Sequence, residues 1–368
     1  MDTWSTPTTV YAAGLRQLPE ALAGRDMVLV ADGRLAAQID LVQASGGGRP
    51  TLLVLDAGEH DAVDVVLDAL ARRPAAVPVA LGGGSVMDVV RLAALTVLDP
   101  STEKWRRSAA GPLFLPSRAV NPTVCIPSTL GTGSEVSPIA VRHGSDGTTM
   151  IVSPALRSAA AIIDPVVTGT LPRAALAAGL VEPWSRVCVP AIAGEPLRFQ
   201  DGLAAGLGSG ILALGDEIAD GAAEVGPGWR RAAALASIQT HLGLLPVGRA
   251  PAGHVLWPLA TEVARATGST KTQALSALLP AWLACLARGS IGREWGSPDR
   301  VRQILGIDAD AAPDRVAQWL GGLSLPVHLP PVDVEVVAGH VQQRWQRSGL
   351  FLAGVERSDI TAVLRAAA

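Results

Sequence analysis

The chain has 368 residues, of which 49% are hydrophobic and 17% are charged, and its formal net charge is −3. This length is typical of two domains rather than one. The composition excludes a disordered chain and a polybasic nucleic-acid-binding protein, because both classes carry more charge and less apolar surface. We therefore expect a globular protein with no nucleic-acid partner.

Short β-rich runs alternate with amphipathic segments in the first half of the chain. Val28–Val30 precedes a helical stretch, Thr51–Leu55 precedes the helix-like Asp61–Arg72, and Val77–Leu81 precedes a helix from about Ser85. Strands that alternate with helices in this way are joined in parallel and are covered on both faces. The pattern predicts an α/β domain with a doubly wound parallel sheet.

Asp32 follows the first of these strands. A carboxylate at a strand terminus can accept a hydrogen bond from a ribose 2′-hydroxyl, and it repels a 2′-phosphate. Asp32 therefore indicates a preference for NAD over NADP. The alternative interpretation is that Asp32-Gly33 forms only a turn.

A glycine-rich loop follows the strand Val77–Leu81 and opens a helix. Glycines let backbone amides approach a phosphate closely, and the helix N-terminus adds free N–H donors and partial positive charge. A tight turn capped by Ser85 is the alternative interpretation. The residues assigned to cofactor binding in this loop are Gly82, Gly83, Gly84, Ser85 and Asp88.

A second loop, 127–135, follows the strand Val124–Ile126 and places small hydroxyl side chains among glycines. This composition suits a loop around ribose and nicotinamide, and we assign Ser128, Thr129 and Thr132 to cofactor binding. The presence of two such loops in one chain argues against a chance occurrence.

The pattern becomes almost entirely helical after about Arg173. X-Pro punctuation from Asp164-Pro165 to Leu171-Pro172 is typical of an interdomain connection. The sequence therefore predicts an NAD-binding α/β domain over 1–168 and an all-α domain over 169–368.

Several further features bear on location. Charge-free stretches such as Thr272–Ala287 are shorter than the roughly 18–20 apolar residues of a spanning helix. Met1–Ser5 lacks the basic and apolar regions of a secretory signal. Cys125, Cys188 and Cys285 are an odd number at wide spacing, which fits neither a disulfide framework nor a zinc site. We expect a soluble cytoplasmic protein that does not contact a membrane.

The two loops together resemble those of the iron-containing (group III) alcohol dehydrogenase family, within the larger group that includes dehydroquinate synthase. Further similarities are Tyr11-x-x-Gly14, Ile163-Asp164-Pro165 and Ala277-Leu278-Leu279-Pro280. The resemblance implies a dehydroquinate synthase-like fold, a dinucleotide cofactor and a homodimer or larger homo-oligomer.

The family holds a divalent metal with an aspartate and three histidines, and here the sequence departs from it. The resemblance places Glu182 at the carboxylate position and Arg186 at the histidine one helical turn later. Gly253–Pro258 resembles the family's histidine-rich helix: His254 keeps a ligand position, Pro258 replaces the second histidine of that helix, and Lys271 stands at the last histidine ligand. Two ligands beside two cations are too few for Zn²⁺ or Fe²⁺. We predict no catalytic metal; the alternative is an imperfect site built from Glu182 and His254.

The substitutions indicate a different chemistry for the same pocket. Lysine occurs only twice, at Lys104 and Lys271, so its presence at a ligand position is notable. Arg186 and Lys271 could bind a substrate carboxylate and stabilise an oxygen that becomes anionic. Lys271, with its pKa lowered by burial beside Arg186, is a candidate general base, and His254 is the competing one. The catalytic residues predicted are therefore Lys271, Arg186 and His254.

This arrangement suits a substrate with a hydroxyl and a carboxylate, such as a β-hydroxy acid. The chain is also similar to metal-poor relatives in actinobacterial peptide biosynthesis, including the dehydrogenases of daptide-type ribosomal peptides. That resemblance implies oxidation and decarboxylation of a C-terminal threonine. Two alternatives stay open: a metal-dependent alcohol or polyol dehydrogenase that uses Glu182 and His254, and an inactive NAD-binding scaffold subunit of a biosynthetic complex.

Overall fold

In a computed structural model of the chain, the described residues are 8–47, 50–55, 62–144, 147–219, 221, 225–242, 244–250 and 253–368. Met1–Ser5, which bears on the signal prediction, and Asp61, the predicted start of a helix, lie outside them. The chain forms two compact units, whose main segments are Ser5–Pro172 with Gly226–His241, and Arg173–Val225 with Leu242–Ala368. We call them the α/β unit and the helical unit.

The strands all belong to the α/β unit. Within the described residues they are β1 Thr9–Tyr11, β2 Met27–Asp32, β3 Thr51–Leu55, β4 Val77–Gly82, β5 Gly111–Phe114, β6 Asn121–Pro127, β7 Ile139–Gly144, β8 Gly147–Val152 and β9 Ser158–Ile162. Six of them form a sheet in the order β1-β9-β6-β4-β2-β3, and β5-β8-β7 form a smaller one. Every pairing given for the larger sheet is parallel.

Helices cover both faces of the large sheet. Those of the α/β unit are α1 Leu18–Leu22, α2 Ala36–Gly46, α3 Val63–Arg72, α4 Gly84–Leu98 and α8 Pro227–Gln239. Alternate residues of β2 enter two cores: Val28 and Val30 pack with α3 and α4, and Leu29 and Ala31 with α1 and α2. The prediction of a doubly wound parallel sheet is confirmed.

The helical unit contains the remaining α-helices of the described chain. They are α5 Arg173–Ala178, α6 Val181–Ala193, α7 Arg198–Ala219, α9 Leu256–Thr267, α10 Lys271–Ala287, α11 Pro298–Leu305, α12 Ala312–Gly322, α13 Val334–Trp345 and α14 Arg357–Ala367. The sequence-predicted domain boundary at 168/169 lies four residues before Pro172, and the α8 segment belongs to the α/β unit. The prediction that the C-terminal region is all-helical is confirmed.

Two buried carboxylates hold the helical unit together. Asp201 on α7 accepts hydrogen bonds from Arg249 and Arg300, with N–O distances of 2.7 Å and 2.6 Å. Burial raises the pKa of Asp201, but the hydrogen bonds from both arginines outweigh it and lower that pKa to about 2. Glu262 on α9 similarly accepts from Trp345 Nε1 at 2.9 Å and pairs with Arg344. These clusters join helices that are distant in sequence.

Helix α7 is the one described helix long and apolar enough to cross a membrane by length and composition alone. A single helix of this kind does not by itself indicate a span. Its inner residues Ala204, Gly208 and Ile211 are buried within the helical unit. The predictions of a cytoplasmic location and of a homodimer stay predictions.

Candidate active site

The cofactor loops lie side by side at the carboxyl edge of the large sheet. β4 pairs with β6 through Gly82 and Pro127, so the first loop begins beside the second. On its other side β4 pairs with β2 through Leu81 and Ala31, which brings Asp32 to the same edge. The carboxyl ends of parallel strands are where dinucleotides bind in sheets of this type.

Glycines allow the two loops to approach each other. A Cβ atom on Gly83 would lie 3.2 Å from Thr129, and one on Gly84 would lie 3.2 Å from Thr132 and Ser134. Gly131 and Gly133 adopt φ values of 98° and 65°, in the left-handed region that favours glycine.

The hydroxyl of Thr129 adds a second observation. Its Oγ1 is buried and has no hydrogen-bond partner within the described chain, and a buried hydroxyl of this kind is costly unless a ligand satisfies it. Ser85 lies exposed in the first turn of α4, while Ser128 is buried. The glycine cradle and the orphaned hydroxyl fit a bound dinucleotide.

Asp88 lies beneath these loops and is bonded within the protein. Its carboxylate pairs with the fully buried Arg91 and accepts a hydrogen bond from the Val141 N–H at 2.8 Å. Burial raises the pKa of Asp88, against the opposing effect of Arg91. Arg91 also donates to the carbonyls of Ser137 and Leu156. Asp88 therefore ties α4 to the segment after the second loop, and its direct contact with a cofactor stays a prediction.

Asp32 is held by a residue that the sequence analysis did not single out. Arg34 Nε lies 2.9 Å from Asp32 Oδ1, and Arg34 Nη2 lies 2.6 Å from Oδ2. The Arg34 backbone N–H also donates to Oδ1 at 3.0 Å. The side-chain hydrogen bond from Arg34 is the largest cause that lowers the pKa of Asp32. The sequence signal was the short spacing Asp-Gly-Arg at a strand end.

The predicted catalytic residues meet in the helical unit. Glu182 and Arg186 lie one turn apart on α6, His254 lies just before α9, and Lys271 is the first residue of α10. Lys271 Nζ lies 3.1 Å from Glu182 Oε1, and Arg186 Nη2 lies 3.6 Å from Glu182 Oε2. The structure therefore brings together Glu182, Arg186 and Lys271, which the sequence places up to 89 positions apart (271 − 182).

Trp257 completes the surroundings of Lys271. The ammonium nitrogen lies 4.4 Å from the centre of the indole ring, a cation–π contact. Lys271 is thus held between a carboxylate and an aromatic face, both of which stabilise its charge. The sequence analysis assigned no role to Trp257. Its position three residues after His254, in the first turn of α9, was the available signal.

His254 contacts Ser185. Ser185 Oγ donates to the Glu182 carbonyl at 2.9 Å, and His254 Nε2 lies 3.2 Å from the same Oγ. Nδ1 is buried and has no partner among the described residues. Burial, Arg186 and Lys271 lower the pKa of His254 to about 3.

The side chains present do not fit a divalent metal. Glu182 is already paired with two cations, and Pro258 and Lys271 provide no ligand of the kind that zinc or iron takes in proteins. In the described part of the chain, no group of three or more His, Cys, Asp and Glu side chains could hold a metal.

Comparisons with known proteins agree with the cofactor loops. Residues 7–165 match the sequence model of the family described as iron-containing alcohol dehydrogenase. Phosphonoacetaldehyde reductase of Streptomyces viridochromogenes is 33% identical over 141 residues, which are 36% of this chain and 35% of the relative. Aldehyde-alcohol dehydrogenase 2 of Entamoeba histolytica is 28% identical over 180 residues, which are 45% of this chain and 21% of the relative. The chain thus spans about a third or less of the length of these relatives.

Solved structures match the whole fold. NADH-dependent butanol dehydrogenase A of Thermotoga maritima has a TM-score of 0.79 at 19% identity, covering 100% of this chain and 98% of that one. Sulfoacetaldehyde reductase of Bifidobacterium kashiwanohense, solved with NAD⁺, has a TM-score of 0.75 at 17% identity, covering 99% and 98%. At these identities the likeness shows the fold. The resemblance to iron-containing alcohol dehydrogenases is confirmed for residues 7–165.

Proposed function

We infer that this protein is an NAD-dependent oxidoreductase that oxidises a hydroxyl group and uses the Lys271 ammonium where its relatives use a metal. The observation that carries this inference is the 3.1 Å contact between Lys271 Nζ and Glu182. A lysine at a ligand position, bonded to the carboxylate at another, supplies positive charge without a metal. The α/β unit would bind the cofactor, and the helical unit would bind the substrate.

We call the group formed by Glu182, Arg186, His254 and Lys271 the helical site. Its charge favours an anionic substrate. Glu182 contributes one negative charge, Arg186 and Lys271 contribute one positive charge each, and His254 is neutral near pH 7 because its pKa is about 3. These charged groups lie in partly buried surroundings, where electrostatic interactions are stronger than in water. Because two cations stand beside the Glu182 carboxylate, we propose that a substrate carboxylate binds next to Arg186 and Lys271.

We assign His254 as the group that receives the hydroxyl proton. When bound, NAD accepts a hydride from the carbon that bears the hydroxyl. As that carbon loses the hydride, the hydroxyl becomes a protonated carbonyl, which is a strong acid. A weakly basic imidazole therefore suffices as acceptor. Lys271, which faces Glu182, is better placed to stabilise the oxygen than to take its proton.

A β-hydroxy acid would react further at this site. Its oxidation gives a β-keto acid, in which the bond to the carboxylate carbon breaks and CO₂ leaves. The bonding electrons pass to the ketone oxygen as an enolate, which then takes a proton from water at carbon. The Lys271 ammonium would stabilise the enolate oxygen. We extend the proposal to a C-terminal threonine of a precursor peptide, which carries both required groups.

The test combines metal analysis with turnover. Protein purified without added metal, with and without EDTA treatment, is assayed for NAD reduction with a threonine-terminated peptide and with simple alcohols. We expect less than one tenth of a Zn or Fe atom per chain, as an order-of-magnitude threshold, and peptide-dependent turnover that EDTA leaves unchanged. The double variant Arg186→His/Lys271→His, which rebuilds a three-histidine set around Glu182, is the positive control and should bind Zn²⁺.

The other outcomes select among the remaining interpretations. One tightly bound metal per chain and EDTA-sensitive oxidation of simple alcohols would favour a metal-dependent alcohol or polyol dehydrogenase that uses Glu182 and His254. Binding of NAD without turnover of any substrate, unchanged in Arg186→Ala and Lys271→Ala, would favour a scaffold subunit. Either result would overturn the metal-independent reaction.

A further inference from the structure

We propose that Arg34 allows this protein to bind a dinucleotide with a 2′-phosphate as well as one without, so that Asp32 does not enforce a strict preference for NAD. The proposal rests on the proposed function, because it concerns the ribose end of the same cofactor site. It adds the class of cofactor that the site accepts and the side chain that decides it.

The topology places Asp32 and Arg34 where a dinucleotide ribose is read. The chain runs from β2 outward to β3 and then returns to β4 on the opposite side of β2. Strand order therefore reverses between β2 and β4, and such a switch point opens a crevice at the carboxyl ends of the strands. Asp32 ends β2 beside the first glycines of the loop after β4. An acidic side chain at this place ordinarily reads the 2′-hydroxyl.

In this chain the Asp32 carboxylate already has a partner on each oxygen. Arg34 forms a two-pronged contact with it, and the Arg34 backbone N–H occupies a third lone pair. A carboxylate offers about four such acceptor positions, so little capacity is left for ribose hydroxyls. The ion pair also has zero net charge. The repulsion that would reject a 2′-phosphate is therefore offset within the protein.

Arg34 retains donors for an incoming phosphate. A guanidinium has five N–H donors, and two of them point to Asp32. The Arg34 side chain is 73% exposed, whereas that of Asp32 is 11% exposed. The guanidinium therefore forms the outer, solvent-facing layer of the pair. Planar bidentate recognition of phosphate is the chemistry for which arginine is best suited.

The experiment measures binding and needs no substrate. NADH and NADPH are titrated into the intact protein, and energy transfer from its nine tryptophans reports each dissociation constant. Variants are Arg34→Gln, Arg34→Lys and Asp32→Asn. Arg73→Gln, an exposed arginine elsewhere in the α/β unit, is the matched control. Competition by 2′,5′-ADP against 5′-ADP isolates the ribose end from the nicotinamide end.

The expected result for the wild-type protein is that the two dissociation constants agree within about tenfold. Because Arg34→Gln leaves an uncompensated carboxylate, it should weaken NADPH binding by about 10- to 100-fold relative to NADH. Arg34→Lys should recover part of this loss, Asp32→Asn should favour NADPH, and Arg73→Gln should change nothing. The same order should hold for 2′,5′-ADP.

Four outcomes would overturn the proposal. NADPH bound more than about tenfold weaker than NADH by the wild-type protein would show that Asp32 still excludes the phosphate. An unchanged ratio in Arg34→Gln, or an equal change in Arg73→Gln, would remove Arg34 from recognition; in these cases the proposed function would stand. No binding of either dinucleotide would overturn the proposed function and this proposal together.

Discussion

The cofactor loops and the helical site differ in how they use charge. At the carboxyl edge of the sheet, backbone N–H groups and small side chains form the surface, and the charged residues Asp88 and Arg91 lie beneath it as a pair. In the helical site the charged side chains are themselves the candidate reactive groups: Arg186 and Lys271 both pair with Glu182 at partly buried positions. A surface made of backbone tolerates sequence change, whereas a surface made of side chains is rebuilt by a few substitutions. The chemistry can therefore change while cofactor binding is kept.

Replacing Lys271 should have the largest effect of the changes described here, because it should reduce turnover while cofactor binding is retained. Lys271→Ala should lower turnover by about 100- to 1000-fold, as expected for loss of one group that stabilises charge in the transition state. The start of α10 should persist, because Thr270 and Gln273 form a capping box there. Steady-state NAD reduction and NADH binding are both measured, and binding should stay within about twofold.

Lys104→Ala is the matched control for this variant. Lys104 is the other lysine of the chain, and it is exposed in the α/β unit. We expect wild-type turnover. Equal losses in both variants, or full activity in Lys271→Ala, would contradict the role assigned to Lys271.

The buried pairs of Asp201 with Arg249 and Arg300 belong to the same unit as the helical site, but we expect them to contribute to stability. Asp201→Asn leaves Arg249 and Arg300 buried without a counter-charge, so it should lower the free energy of unfolding by about 3 kcal/mol. Urea unfolding followed by tryptophan fluorescence measures this. Asp299→Asn on the exposed start of α11 should change stability by less than about 0.5 kcal/mol. Similar losses in the two variants would argue against a buried cluster.

The sequence predicted much of the fold because glycines, prolines and alternating periods are local signals. It also predicted that Glu182, Arg186, His254 and Lys271 share a site, through the resemblance to a family. It did not predict that Lys271 pairs with Glu182. This pairing depends on side-chain directions on two helices, α6 and α10, which no local pattern records.

The contacts of Arg34 and Ser185 escaped prediction for a related reason. Both residues are of types that are common on surfaces and helices, and neither belongs to a motif. Their importance comes from the partner each one holds: Asp32 for Arg34, and His254 for Ser185. The partner of Ser185, His254, is 69 positions away and becomes visible only when the tertiary structure is known, whereas the spacing Asp32-Gly33-Arg34 was a local signal.

The pH dependence of stability tests whether burial, Arg186 and Lys271 lower the pKa of His254. Its pKa in the folded state is about 3, below the value of about 6.5 in an unfolded chain. As pH falls from 7 to 5, His254 becomes protonated in the unfolded chain but stays neutral in the folded protein. His254 should therefore remove about 2 kcal/mol of stability over that range.

The measurement compares urea unfolding at pH 7 and pH 5 for wild type and two variants. His254→Gln cannot titrate, so its loss of stability between the two pH values should be smaller by about 2 kcal/mol. His328→Gln, at an exposed histidine, should behave like wild type. An identical pH dependence in His254→Gln and wild type would show that His254 is not buried beside Arg186 and Lys271.

Gly83 lies in the first cofactor loop, and its replacement should have the smallest effect of the changes described here. A Cβ at this position would lie 3.2 Å from Thr129 Cγ2 and 3.3 Å from Thr129 Oγ1. It would therefore narrow the space between the two loops. Gly83→Ala should weaken NADH binding by about tenfold, since a phosphate could no longer approach the backbone as closely. Gly228→Ala in α8, where nothing lies within 4 Å of the added Cβ, should leave binding unchanged.

Because Thr129 can shift by a few tenths of an ångström, Thr129→Ser in the Gly83→Ala background should recover part of the affinity by removing the Cγ2 methyl group. Failure of this recovery would place the obstruction on the backbone and not on the Thr129 side chain.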